Sequence, residues 1–463
     1  MQTLKKNTIV APGVFAVHVL VLAGIVYTWR FSHLWLDDFN NLYWVQRETF
    51  QSMLGHVINP LSEFFRPVGM FVYWMLWQTS GLHPMPYHVL AWTLHFLNAA
   101  LLYVLLARIV ESRYAAAFGS LLFTFRANFV DIYWSFGFIF ELLACGFMLS
   151  ALLIHMRDKK SWRSIGLVLL LAVLAIKSKE MAITLPALLF AYDVTHRRRF
   201  DRKTVLEYAC LAVIALWFAH LKVSTMGSAS PDHSYYMDLR VLTLGRGLGW
   251  YFDRLYDTPL RWGAWMIISV IASAAMLYRR EHRGIFFLAY IFISLMPVVF
   301  LVNHRGEFYW YIPFFGVAGM AAVMVDAVSG RLEPAISRAA TPLALIFFFL
   351  FAAIHIARET RRSAGMISGQ RTISEEYAGF LRQLGGLPAP SPGETVYYRS
   401  FPDHFSLESL QSVTQVVFRR TDVKVDVVQA FPDPCGYCLE YQDRILRLGN
   451  AKGGTLIERP KEK

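Results

Sequence analysis

The sequence predicts an α-helical polytopic membrane protein of about eleven spans with a small C-terminal α/β domain, and three observations lead there. First, of 463 residues 56% are hydrophobic, 15% aromatic and only 17% charged, with a mean hydropathy of +0.39. So little polar surface cannot cover a soluble globule of this length. Second, apolar runs recur from Val10 to Ile356, separated by short clusters of Arg, Lys and acidic residues, as in a helical bundle threaded repeatedly through a bilayer. Third, the long runs stop after Ala357, and charge, proline and turn residues then occur as in an ordinary soluble domain. Two domains are therefore expected, 1–357 in the membrane and 358–463 outside it.

Taken in order, Lys5 and Lys6 precede a run from Ile9 to Tyr27 that is long enough to cross. No small-residue cleavage site follows before Trp29-Arg30, so it reads as a retained first span. Asp37 and Asp38 come next, where the chain re-emerges into water. Side-by-side carboxylates at a low-dielectric boundary are costly without a cation, a metal or a proton, which points to function rather than to a capping turn. Basic residues then mark every second turn as cytoplasmic: Lys5-Lys6, Arg108 to Arg113, Arg157 to Arg163, His196 to Lys203, Arg279 to Arg283, and Arg331 with Arg338. The N-terminus is thus cytoplasmic and the C-terminal domain extracytoplasmic. The net charge of +12 reads as inner-leaflet anchoring, with no nucleic-acid partner. The runs Tyr114 to Phe125, Ser164 to Ile176 and Met181 to Asp193 are short for a crossing, so they are expected to be buried or re-entrant. The charges at their corners, Arg126, Asp131, Lys177, Lys179 and Glu180, would then share one outward vestibule with Asp37 and Asp38.

In the tail, a helix is expected from Thr372 to Leu384, stopped by Gly385-Gly386 and followed by a Pro-rich linker to Gly393. Strands are expected at Thr395 to Tyr398 and Val423 to Val428, around a helix from Ser406 to Phe418. No tetratricopeptide pattern is present. Cys435-Gly436-Tyr437-Cys438 lies on the oxidising side of the predicted topology, where a structural disulfide is permitted; a zinc site would need two further ligands. Cys145 and Cys210 lie within spans as small apolar residues.

Five motifs in order resemble those of GT-C membrane glycosyltransferases, specifically the transmembrane, tetratricopeptide-containing O-mannosyltransferases and their bacterial homologues. They are Phe65-Arg66-Pro67-Val68; Gly81-Leu82-His83-Pro84 with Tyr87-His88 and His95-Phe96-Leu97-Asn98; Lys177-Ser178-Lys179-Glu180; Tyr192-Asp193; and Glu307-Phe308-Tyr309-Trp310-Tyr311-Ile312-Pro313 with Gly316. The resemblance covers roughly the first 320 residues. Phe308 stands where the family carries arginine, with Arg305 two residues before Glu307 as an alternative source of that charge. The repeat array is also missing, so a protein acceptor does not carry over.

The resemblance implies transfer of a sugar from a polyprenyl-phosphate carrier to an acceptor hydroxyl on the extracytoplasmic side, with inversion. Such a reaction needs a carboxylate to take the hydroxyl proton and cations to receive the phosphate leaving group. By resemblance Asp37 is the base, with Asp38 orienting the acceptor or helping to hold a cation. Arg66 is the first choice for the phosphate because its fork matches phosphate oxygens, with Lys179 and Arg305 behind it. Glu180 and Glu307 are expected to position those cations. Asp131 and Glu141 stand where the family also carries acidic residues, and Glu141, deep in the run Ile132 to Leu153, needs either a partner or a proton. His88 reads as a hydrogen-bonded supporting residue rather than a metal ligand. A divalent cation between Asp37, Asp38 and the lipid phosphate fits the pair, although no dedicated ligand cage is visible. The acceptor, whether glycan, lipid or protein, is left open. A bacterial inner membrane is the simplest location, and a carrier or flippase for a lipid-linked sugar is the alternative function.

Overall fold

The computed structural model describes residues 34–60, 62, 64–126, 129, 135–157, 160–198, 200–226, 230–233, 235–256, 281–332, 375–403 and 405–449, with isolated positions between 271 and 373. The expected first span, Ile9 to Tyr27, and the candidate Asp131 lie outside them. Among the described residues the chain is mostly helical, with one small mixed sheet. Its helices are α1 Leu36–Val45, α2 Phe50–Ile58, α3 Pro67–Ser80, α4 Pro84–Ile109, α5 Arg113–Thr124, α6 Ile139–His155, α7 Trp162–Ser178, α8 Leu185–Thr195, α9 Arg202–Met226, α10 Val241–Tyr256, α11 His282–Val299, α12 Phe314–Leu332 and α13 Leu407–Val417. Among the described residues four helices are long and apolar enough to cross a membrane: Pro84–Ile109, Phe136–His155, Arg202–Leu221 and His282–Val299.

The interior is built around α4, which packs on α5 and α6, while α5 is wedged against α12 and α12 lies along α11. At 12 residues α5 is about 18 Å long, too short to span, and Ala115 to Ala117, Gly119 to Leu121, Phe123 and Thr124 are buried inside the bundle. Gly119 makes this possible: a Cβ there would stand 2.7 Å from the Ala318 carbonyl oxygen and 2.6 Å from Leu106. A polar seam crosses the same apolar core. His95 on α4 meets the Tyr311 hydroxyl at 2.9 Å and the Thr124 carbonyl at 3.2 Å. The Asn98 amide donates to the Leu142 carbonyl at 2.9 Å and to Tyr311 at 3.2 Å. Buried polar groups need such partners, and here they tie two motifs more than two hundred residues apart to one hydroxyl.

The site end of the bundle is set by chain breaks. Lys179 is extended (φ −153°, ψ 133°) and separates α7 from a 3₁₀ turn at Glu180–Thr184. A second 3₁₀ turn, Phe136–Phe138, opens α6, and a third, Glu307–Trp310, precedes α12. At the other end of α6, about 21 Å along its axis by helical rise, a buried knot joins four elements. His155 contacts Glu207 at 2.7 Å and Asp193 at 3.1 Å, Lys160 donates to Glu207 at 2.6 Å, and Tyr208 donates to Asp193 at 2.8 Å.

The tail carries strands β1 Thr395–Ser400, β2 Lys424–Val427, β3 Tyr437–Gln442 and β4 Ile445–Gly449, in the order β2-β1-β3-β4. β1 is parallel to β2, through the α13 crossover, and to β3; β3 and β4 are antiparallel. The expected strands and the Ser406 helix start are found here, with the Ser406 hydroxyl capping α13 at Ser409 N, 3.1 Å. A helical stretch, 375–385, precedes the sheet. The β3–β4 hairpin after Cys435 is not expected from the sequence. Its turn, Asp443-Arg444, has φ of +53° and +64°, a type I′ geometry usually announced by Asn-Gly or Asp-Gly. The sulfur atoms of Cys435 and Cys438 lie side by side with their Cα atoms 6.2 Å apart. One face of the tail rests on the bundle, where α13 packs along α1.

Candidate active site

Helix α1 separates its two first-turn carboxylates. Trp35 is its extended N-cap, and the Trp35 backbone N–H donates to Asp38 Oδ2 at 2.7 Å. Both aspartates sit where the helix dipole favours negative charge. Neighbouring residues on a helix project about 100° apart, so Asp38 turns inward and is fully buried while Asp37 stays exposed. Tyr73 of α3 donates to Asp38 Oδ1 at 2.7 Å. The Phe136–Phe138 turn forms the floor: Phe136 stacks edge-on against Tyr73 at 4.8 Å, and a Cβ on Gly137 would lie 3.5 Å from that of Asp37. Burial pushes the Asp38 carboxyl up to about 7 against the hydrogen bonds from Trp35 and Tyr73, and the Asp37 charge adds to the rise. Asp37 is also raised, by desolvation from the surrounding wall, with His304 and Arg66 pulling the other way. Asp38 has no exposed surface, so of the pair only Asp37 presents an open carboxylate. Among the described residues no group of three or more His, Cys, Asp or Glu side chains is gathered to hold a metal.

Opposite the acids runs a chain of alternating charge. Arg66 is the N-cap of α3 with φ +47° and ψ +58°, a left-handed backbone uncommon outside glycine, and Pro67 starts the helix directly after it. Its guanidinium forms a two-pronged contact with Glu180, Nε to Oε2 at 3.0 Å and Nη2 to Oε1 at 2.5 Å, and lies 4.2 Å over Phe65 and 5.2 Å over Phe140. Lys179, 2% exposed, contacts Glu141 at 2.5 Å and Glu180 at 3.8 Å, with the Tyr309 ring 5.3 Å away. Burial works against the charge on both members of the Arg66–Glu180 pair. Their mutual attraction outweighs it, holding Glu180 well below the usual carboxylate range and Arg66 above its own. Glu141 thus has the partner that its depth demanded, and Glu180 holds two of the proposed cations.

Other candidates sit elsewhere. Glu307 pairs with Arg254 at 3.5 Å, a cation different from those the sequence reading joined to it. Arg305 Nε donates to the Leu301 carbonyl at 3.1 Å. His88 is buried on α4, stacked on Trp92 at 5.8 Å. Lys177, by contrast, lines a cleft that Arg66 and Glu180 also line, and it donates to the carbonyls of Val57 and Asn59 at 2.7 Å each and of His56 at 3.3 Å, closing the end of α2. Arg126 contacts the Leu255 carbonyl and Glu359.

Three residues absent from the sequence reading complete the site. Tyr73 is the donor to Asp38. His304 lies tilted against Tyr235 at 4.7 Å and edge-on to Tyr309 at 5.9 Å. Burial lowers its pKa, helped by Lys179 and Arg66, while Glu180 and Asp37 oppose; it therefore lies within electrostatic reach of both halves of the site. Tyr235 lies within electrostatic reach of Arg66. Beside Arg66 an open cleft is lined by Ser62, Phe64, Glu180, Ile176, Phe218 and Leu221.

No known protein-family pattern matches the chain, and no curated protein does. Among solved structures, ArnT from Cupriavidus metallidurans bound to undecaprenyl phosphate is similar over 91% of this chain and 87% of that one, at 16% identity and a TM-score of 0.49.

Proposed function

We propose that this chain is a membrane glycosyltransferase that moves a sugar from a polyprenyl-phosphate carrier to an acceptor hydroxyl on the extracytoplasmic side. One observation carries the reading: an exposed carboxylate, Asp37, stands in electrostatic reach of Arg66, which shares Glu180 with the buried cation Lys179, beside a cleft whose Ile176, Phe218 and Leu221 wall suits an isoprenoid.

In this reading the Asp37 carboxylate accepts the proton of the incoming hydroxyl as its oxygen bonds to the anomeric carbon. The bond from that carbon to the phosphate oxygen breaks, and the leaving phosphate keeps the electron pair. Arg66 and Lys179 receive the developing charge in a site of low dielectric, where such contacts act most strongly. Attack and departure on opposite faces invert the anomeric centre. Asp38, held by Tyr73 and by Trp35 N–H, fixes the turn that presents Asp37, and no step passes through a metal.

Purified protein in detergent, given radiolabelled polyprenyl-phosphate sugars and membrane extract, is expected to transfer label. Asp37→Asn is expected to reduce turnover at least about 100-fold, and Arg66→Ala about 100-fold, with the fold retained. Equal lipid binding by native and variant proteins, without turnover from any donor, would instead establish a carrier.

A further inference from the structure

We propose that the C-terminal domain is a positioning element for the acidic pair, with Tyr377 and Gln415 as its positioning residues. The domain grips both helices that hold Asp38. At the start of α1, the Trp35 ring lies 5.1 Å from that of Tyr377, and the same Trp35 supplies the backbone N–H that bonds Asp38 Oδ2. Tyr377 is buried and continues into the tail core through Phe405 at 4.5 Å and from there to Phe380 at 5.3 Å. Just past the end of α1, Arg47 donates to Gln415 Oε1 at 2.9 Å and to the Thr421 carbonyl at 3.4 Å. Gln415 is itself buried and bonded to the Val423 carbonyl at the edge of β2. On α3, Arg419 stacks over Trp77 at 5.1 Å, one helical turn from Tyr73, the other donor to Asp38.

The burial pattern of α13 agrees. Ser409, Leu410, Ser412, Val413, Thr414, Gln415 and Val416 are all buried. A helix covering only its own sheet would bury a single stripe; here the sheet covers one face and α1 the other. A carboxylate that works through geometry needs its support locked, and the lock on α1 comes from the tail at both ends. Asp38 itself does not touch substrate in this arrangement, so Tyr377 and Gln415 act at two removes, through the turn that presents Asp37.

The kinetic half of this inference rests on the transferase reading, so its test has a second, independent arm. Full-length Tyr377→Ala, Gln415→Ala and Tyr377→Phe are compared with native protein in two measurements. In the first, water-soluble carbodiimide with an amine nucleophile labels carboxyls, and mass spectrometry reads Asp38. Native protein and Tyr377→Phe are expected to protect it, while Tyr377→Ala and Gln415→Ala label it about tenfold faster. In the second, those two variants are expected to lose about tenfold in kcat with donor KM unchanged, and Tyr377→Phe to retain native values. Native protection of Asp38 in both alanine variants overturns the inference, as does a loss that Tyr377→Phe shares. Should the native chain transfer no sugar at all, the transferase reading falls and the labelling arm still decides. Should Tyr377→Ala not fold, Gln415→Ala, which leaves the aromatic contact intact, decides in its place.

Discussion

Adjacent carboxylates invite a symmetrical account, yet positions 37 and 38 hold opposite environments. Asp38 is a buried acid whose proton leaves only near pH 7, while Asp37 faces the cation cluster. Because the folded state holds the Asp38 proton more tightly than the unfolded chain, its contribution to stability is present below about pH 4 and is lost as pH rises through about 7. The thermal midpoint in detergent is therefore expected to fall between pH 5 and 8 and to be flatter in Asp38→Asn. A native midpoint independent of pH would contradict the assignment. Turnover should move the other way, rising with pH as Asp37 and then Asp38 ionise, and Asp38→Asn should remove the step near neutrality. At Arg66, Lys keeps the charge but not the fork. Arg66→Lys is expected to lower kcat/KM by about 10- to 100-fold, since one ammonium cannot hold Glu180 by two bonds and also receive a phosphate. These residues differ in how far the sequence reveals them. A charge in an apolar run stands out because it is expensive there, which is why Arg66, Lys179, Glu141 and the aspartates are legible. Tyr73, Tyr235 and His304 are ordinary residues in ordinary contexts; their roles come from contacts made across the fold, with Tyr73 and Asp38 35 positions apart.

At the scale of elements, the short helix α5 shows how a run too brief to span finds a place. Its alanines and Gly119 admit α12 to backbone contact. Gly119→Leu is expected to destabilise by about 1–3 kcal/mol through overpacking, read as a lowered midpoint with α12 displaced; an unchanged midpoint would mean that the close approach is dispensable. In the tail, Ser406→Ala should cost about 1 kcal/mol by removing the α13 cap. Helix starts, glycine stops and the β1 and β2 runs are legible because local chemistry dictates them. The β3–β4 hairpin is not, because Asp443-Arg444 adopts its positive φ values without the residues that usually signal them. Lys177 shows the same limit: its charge marks a corner, but only the fold shows that it closes α2.

At the scale of the whole molecule, two buried charge clusters stand at opposite ends of α6. The one at Glu141 contains the proposed chemistry. The knot of His155, Lys160, Asp193 and Glu207 at the other end is buried and held by its own ion pairs. Breaking a buried pair strands its partner, so Glu207→Gln is expected to lower the thermal midpoint by several degrees while leaving the kcat of the folded fraction near native. A selective loss of kcat would tie the knot to catalysis. The seating of the tail on α1 and α3 could not be foreseen, since no local pattern in residues 375–449 points to residues 35–77.

The Arg66–Glu180 contact has a consequence for how a charged lipid would arrive. Neither cation waits empty: Arg66 already grips one carboxylate and Lys179 two. A phosphate entering here would trade places with a carboxylate tethered to the chain, and would release no counterion to solution as capture by an open positive surface does. Added salt should then have little purchase on donor affinity.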